Sequence, residues 1–249
     1  MSRMGKRCLG LITARGGSKG VPRKSTRNLA GKPMIHYAIE VGLSCPYIDR
    51  VVVTTNCEEI AEVSRSAGAD VPFLRPDAIA TDTAKQEDAI KHAMDWFEKH
   101  GESYDLLCLL QPTEPLRKVE TLNRGFEMLD AHPEATGIMS VALARSSPVS
   151  CNTLRQDGTL KEFINPDFRF ANRQEKPVFY DLSGVVAISR WRAFRELGTF
   201  CQDTALFMVV DPIEAVDVDE PVDFVLAETL LGHGLTSSLA LAHHVGRED

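Results

Sequence analysis

Apolar runs of strand length recur along the first half of the chain, each followed by a segment whose apolar residues return every three or four positions. The spacing predicts strands over 8–13, 50–55, 71–74 and 106–111, and helices over 34–43, 58–67, 85–98 and 118–129. Stretches such as VVVTT (51–55) and LLCLLQ (106–111) are apolar without alternation, which calls for burial on both faces. Strands of that kind separated by helices predict an α/β fold, a mostly parallel sheet covered by helices on both sides. One more strand, at 138–142, ends the regular rhythm. Residues 145–182 carry Pro148, Gly158, Pro166 and Pro177 around the weak strand patterns TLKEFIN and VFYDL, and read as an inserted β-rich excursion. The sheet resumes at 184–188. A last helix is expected over 222–231, with Asp219 as its cap and Pro221 in its first turn. A single domain, 1–231, holds all of these elements, and 232–249 is expected to be a loosely ordered tail.

Composition narrows the function classes. A net charge of −7 argues against whole-molecule attraction to nucleic acid or anionic lipid. No apolar stretch approaches the roughly 20 residues that cross a bilayer. The run after the basic start MSRMGKRCLGLITA is too short for a secretory signal, so a cytoplasmic protein is expected. The six cysteines form no CxxC and no zinc spacing, and read as reduced thiols inside apolar stretches. His243 and His244, in the tail, have no obvious third ligand.

The charge distribution says more than its sum. Residues 1–39 contain nine Lys or Arg and no acidic residue, whereas 201–249 contain ten Asp or Glu and one cation, Arg247. Ligands of α/β sheets bind beyond the carboxyl ends of the strands, and 14–24 follows the first strand. There Gly16, Gly17 and Gly20 permit positive φ and close backbone approach, while Arg15, Lys19 and Lys24 supply charge for an anion. Neither GxxxxGK[ST] nor GxGxxG is present, so this is not one of the common phosphate loops. At the acidic end, Asp217-Val218-Asp219 ends a strand-like segment. Residues i and i+2 of a strand share a face, so both carboxylates can meet one hard cation; the alternative is that Asp219 caps the helix and Asp217 is solvated.

The stretch ARGGSKGVPRKSTRNLAGKPMI resembles the signature of the CMP-sialic acid synthetase family, the cytidylyltransferases that activate nonulosonic acids, written ARxGSKGxPxKN followed by GKP. DRVVVTTNCEEIAEVSRSAGADVPFLRP, ATDTA, LLQPTEPLR and AVDVDEPVDFVLAE are similar to the blocks that follow in that family, in the same order. The resemblance spans 9–231. It implies a three-layer, Rossmann-like nucleotidyltransferase fold, CTP as donor, Mg2+, pyrophosphate release, and a homodimer whose inserted segment reaches over the partner's site. It further implies that Ala14, Arg15, Gly16, Gly17, Ser18, Lys19 and Lys24 bind or stabilise the phosphates, and that Asp217 and Asp219 are metal ligands. Arg75 matches the base-contacting arginine. Ser25 stands where the family has the Asn of its KN pair, and Gln86 where it has a base-contacting Ser. On the acceptor side Gln111 and Thr113 match. Arg173 and Gln174 fit the motif whose arginine meets the acceptor carboxylate, and Ser183 replaces an asparagine that contacts the sugar. Glu114 stands where Ser is usual; an acid occurs in the similar loop of Kdo-activating enzymes as a metal contact, and a structural loop role is the other reading.

The departures leave the donor base and the acceptor open. An unusual nonulosonate, a phosphonate or another small acid would each suit the acceptor side, and a guanylyl- or other nucleotidyltransferase acting on a sugar phosphate would use the same loop. A noncatalytic nucleotide- or RNA-binding protein is disfavoured by 7% aromatic content and the lack of a stacking motif. No general base emerges from the sequence.

Overall fold

The computed structural model describes residues 5–17, 20–162 and 172–235. In chain order it contains β1 (Cys8–Thr13), the short strands β2 (Asn28–Leu29) and β3 (Lys32–Pro33), α1 (Met34–Ser44), β4 (Arg50–Thr54), α2 (Glu58–Ser66), α3 (Gln86–Lys99), β5 (Leu106–Leu109) and α4 (Val119–Ala131). There follow β6 (Gly137–Leu143), β7 (Asn152–Leu154), β8 (Leu160–Glu162), β9 (Tyr180–Arg190), α5 (Trp191–Leu197), β10 (Leu206–Val209) and α6 (Pro221–Gly232). Six strands form one sheet in the order β10-β6-β9-β5-β1-β4. All run parallel except β9, which is antiparallel to both β5 and β6. None of the helices described is long and apolar enough to cross a membrane.

The apolar runs bury on both faces because each face has its own helices. Ile35, Ile39, Leu122 and Phe126 from α1 and α4 pack with Val51 and Val53 on one side. Ile90, Met94 and Phe97 of α3 and Phe194 of α5 pack with Leu9, Leu11 and Val52 on the other. Each such side chain contributes about 1.5–3 kcal/mol by leaving water, so these two layers dominate the energetics. A third cluster positions the site: Val21 and Leu29 from the N-terminal loop pack with Val216, Val218 and Phe224 from the far end of the chain.

Three expectations need correction. The strand at 71–74 is absent; only single bridges, Val52 to Asp70 and Thr55 to Leu74, survive there. Pro72 lies between them and has no amide hydrogen to continue a ladder. The resumed sheet strand starts at Tyr180 rather than 184, so part of VFYDL belongs to the main sheet and the excursion is shorter, with β7 and β8 as its antiparallel pair. Finally, Asp219 does not cap the last helix. Glu220 takes that position, and Asp223 accepts its amide at 2.8 Å.

Candidate active site

A cleft of about 600 Å3 opens over the carboxyl ends of β1 and β5. Thr13, Ala14, Arg15, Gly20, Lys24 and Ser25 line one side, Arg75 and the stretch from Ile79 to Gln86 another, and Gln111 to Thr113 with Asp217, Asp219 and Glu220 close it. Its size suits a nucleotide, and its place is the one expected of an α/β sheet.

The loop after β1 is held by its backbone. The Ala14 amide donates to the Thr54 carbonyl (3.1 Å) and the Gly16 amide to Asn56 Oδ1 (3.1 Å). The positive-φ residues of this region are Arg23 (54°), Ala30 (47°) and Gly31 (100°), not Gly16, Gly17 or Gly20. Gly20 is needed for another reason: a Cβ there would lie 2.3 Å from the Asp219 carbonyl oxygen. Ser25 is buried, and its carbonyl accepts the Ile35 amide at 2.9 Å. Ser18 and Lys19 lie outside the described residues.

The oppositely charged ends of the chain touch directly. Lys24 Nζ donates to the Val218 carbonyl and to Asp219 Oδ1, both at 2.9 Å. The Asp217 to Asp219 segment is not a strand; the Val218 amide anchors it on the Thr113 carbonyl at 2.7 Å, and the Asp219 amide donates to Asp223 Oδ2 at 3.2 Å. The alternation still holds, with Val216 and Val218 buried and Asp217 and Asp219 both on the cleft. Burial pushes the Asp217 carboxyl up, and the nearby Asp219 charge adds to it, against a hydrogen bond with Thr113 and the charge of Lys24.

Arg15 reaches across to the loop before α3, donating Nη1 to the Thr81 carbonyl (2.6 Å) and pairing with Asp82 (3.0 Å). Arg75 is 6% exposed; it donates Nη2 to the Ala14 carbonyl (3.3 Å), while its Nε has no protein partner among the described residues. Burial, and to a smaller extent the charge of Arg15, lowers the Arg75 pKa. Gln86, the first residue of α3, donates Nε2 to Thr13 Oγ1 (2.9 Å), and Gln111 Nε2 donates to its Oε1 (3.4 Å). Lys85 and Asp82 also line the cleft. Neither was singled out from the sequence, although Asp82 lies inside the ATDTA block that carried the resemblance and Lys85 follows it directly.

Of the acceptor-side residues, Gln111 and Thr113 face this cleft. Ser183 is buried behind it, donating Oγ to Glu114 Oε1 at 3.0 Å. Gln174 lies elsewhere, on a second cavity of about 650 Å3 that Arg145, Ser147 and Lys176 also line. Arg173 opens the short helical turn Arg173–Glu175; its side chain lies outside the described residues. Glu114 is fully engaged within the protein, accepting the Gly184 amide (2.7 Å) and pairing with Arg117 (3.1 Å).

A family model described as Cytidylyltransferase matches residues 9–216. The chain is 34% identical over 230 residues to CMP-N,N'-diacetyllegionaminic acid synthase of Legionella pneumophila, covering 90% of this chain and 96% of that protein. It is 30% identical to an Escherichia coli N-acylneuraminate cytidylyltransferase over 91% of this chain and 52% of that one, so it spans about half of the longer relative. Among solved structures, a CMP:2-keto-3-deoxy-manno-octonic acid synthetase complexed with CTP superposes with a TM-score of 0.67 at 15% identity, over 92% of this chain and 99% of that one. That likeness speaks for the fold.

Proposed function

This chain belongs to the cytidylyltransferase family and is a nucleotidyltransferase; from that premise we propose that it transfers CMP from CTP to a small nonulosonic-type sugar acid, releasing pyrophosphate, in the cytoplasm. The observation that carries the reading is the meeting of Arg15, Lys24 and Arg75 with Asp217 and Asp219 around one cleft. An acceptor hydroxyl attacks the α-phosphorus, the new P–O bond forms as the α,β-bridging bond breaks, and the proton leaves to solvent. Lys24, Arg15 and Lys19 stabilise the charge that builds on the phosphate oxygens, more in the transition state than in the ground state. Arg15 would exchange Asp82 for a phosphate oxygen, and Lys24 would hold both Asp219 and the donor.

Asp217 and Asp219 fit a magnesium ion. Their donors are all oxygen, both carboxylates stand on the same cleft, and a hard dication would offset the burial of Asp217 and its repulsion from Asp219. Among the described residues no cluster of three or more metal-ligating side chains forms, so phosphate oxygens of the donor would complete the shell. Bound there, magnesium supplies charge neutralisation on the triphosphate.

Arg75 and Gln86 are placed to read the base, and Gln111 and Thr113 to meet the acceptor. Because Gln174 and Lys176 wall a separate cavity, the inserted segment serves the cleft of a partner copy in this reading, giving a homodimer. The test is pyrophosphate release with each of the four NTPs against a panel of nonulosonic acids, phosphonates and short carboxylic acids. CTP with a nonulosonic acid should win. A preference for GTP with a sugar phosphate would overturn the assignment, as would full turnover in a folded Asp217→Asn, Asp219→Asn double variant.

A further inference from the structure

Strand β9 breaks register against β6. Met139 pairs with Ala187, but the next residue, Ser140, pairs with Ser183, so Gly184, Val185 and Val186 are looped out of the ladder. A buried backbone that leaves its ladder needs other partners. Arg117 supplies two, donating Nε to the Val185 carbonyl and Nη2 to the Gly184 carbonyl, each at 2.9 Å. Glu114 supplies the complement: its Oε1 accepts the Gly184 amide at 2.7 Å and the Ser183 hydroxyl at 3.0 Å. The two side chains are 2% and 1% exposed and pair with each other. An ion pair so deeply buried has no large stability benefit to recommend it over apolar packing, which points to a role in fixing geometry.

That geometry continues into the cleft. Arg117 Nη2 also donates to the Gln111 carbonyl at 3.2 Å. The bulge packs so closely on the loop that only glycine fits at 184: a Cβ there would meet Gln111 Oε1 at 2.4 Å and Glu114 Oε2 at 2.9 Å. Between Gln111 and Glu114 lies Thr113, whose carbonyl holds the Val218 amide at 2.7 Å and which lines the cleft together with Asp217. The bulge and the Glu114–Arg117 pair are thus joined by the 111–114 backbone to Thr113, and Thr113 by the Val218 amide to the acidic segment.

We propose that Glu114 and Arg117 are positioning residues for the transfer reaction: clamped on the β9 bulge, they set Thr113 and, through it, the direction in which Asp217 and Asp219 face. This rests on the nucleotidyl-transfer reading for its kinetic part only.

The experiment uses the full chain and the variants Glu114→Gln, Thr113→Val, their combination, and Ser183→Ala, which removes one of the donors to Glu114 and is the gentler probe should Glu114→Gln fold poorly. Hydrogen–deuterium exchange should show faster exchange confined to 111–114 and 216–219 in Glu114→Gln and Ser183→Ala, with the rest of the sheet unchanged. Turnover of Glu114→Gln should fall about tenfold, as for a misplacement smaller than the 1 Å that costs about a hundredfold, with KM for CTP within about twofold of wild type. The combined variant should be less impaired than independent effects would give. Unchanged exchange at 216–219, exchange that rises throughout the molecule, or strictly additive losses would each overturn the proposal. Because exchange is read without substrate, a wrong donor or acceptor would leave that result standing and fail only the assignment of the reaction.

Discussion

Adding one methyl group at Gly20 tests how tightly the two ends of the chain must fit. The new Cβ would sit 2.3 Å from the Asp219 carbonyl oxygen and 3.4 Å from the carbonyl carbon and from Glu220 Oε1. Ordinary contact begins near 3.4 Å, so backbone must yield by about 1 Å, either in the loop after β1 or in the acidic segment. Neither yields without disturbing Lys24, which is fastened to Val218 and Asp219 at 2.9 Å. A misplacement of that size beside the reacting atoms costs about a hundredfold in rate, or about 2.7 kcal/mol of transition-state stabilisation. Gly20→Ala should therefore lower kcat about a hundredfold, with a modest change in Tm, because the clash lies at the cleft and not in the sheet core. Gly232→Ala is the control: its added methyl meets nothing within 4 Å at the end of α6, and activity should be unchanged. Pyrophosphate release under saturating CTP reads both. Wild-type kcat in a folded Gly20→Ala protein would refute the reasoning that this contact sets the cleft.

Lys24→Ala should lower turnover by two to three powers of ten, the usual loss on removing one preorganised transition-state donor, and steady-state kinetics on the folded variant checks it. Glu214 offers a pH test away from the cleft floor. Burial pushes its carboxyl up, against the Thr121 hydroxyl (3.0 Å) and the charge of Lys118. The native state thus holds this proton more tightly than the unfolded chain does. The contribution is fully present below the ordinary carboxylate pKa and is lost as pH climbs through the raised native value. Glu214→Gln, which cannot ionise, should gain Tm relative to wild type as pH rises from the ordinary carboxylate pKa of about 4 through the raised native value; a constant difference across thermal melts would count against this account.

Much of the fold was legible because burial on both faces leaves a plain mark. The strands from Cys8 and Arg50 and the helices from Met34 and Glu58 begin where the pattern starts them. Direction leaves no such mark: β9 is as continuously apolar over Gly184–Ile188 as its parallel neighbours, yet runs the other way. The exposed first turn of that strand, Tyr180 to Leu182, looked like part of the excursion because its outward side chains break the apolar run. Helix α5 and strand β10 are short enough to fall below the periodicity that reveals longer elements. In the site, the residue types were readable and their partners were not. The sequence assigns Lys24 to an anion and Asp219 to a cation, and in the structure the two pair directly over a separation of 195 residues. Arg15 was read as a free cation awaiting an anion, and Asp82 holds it. Glu114 looked like a substitution in a loop, and only the bulge of β9, a register event with no compositional trace, shows what it grips.

The packing of Val21 and Leu29 against Val216, Val218 and Phe224 has a consequence for how the molecule is made. A ribosome delivers the glycine loop early and its counterpart almost two hundred residues later, so the donor pocket is finished only after the sheet has been laid down. A nascent chain stalled before Asp217 would carry most of the two main core layers and still lack the acidic wall of the cleft.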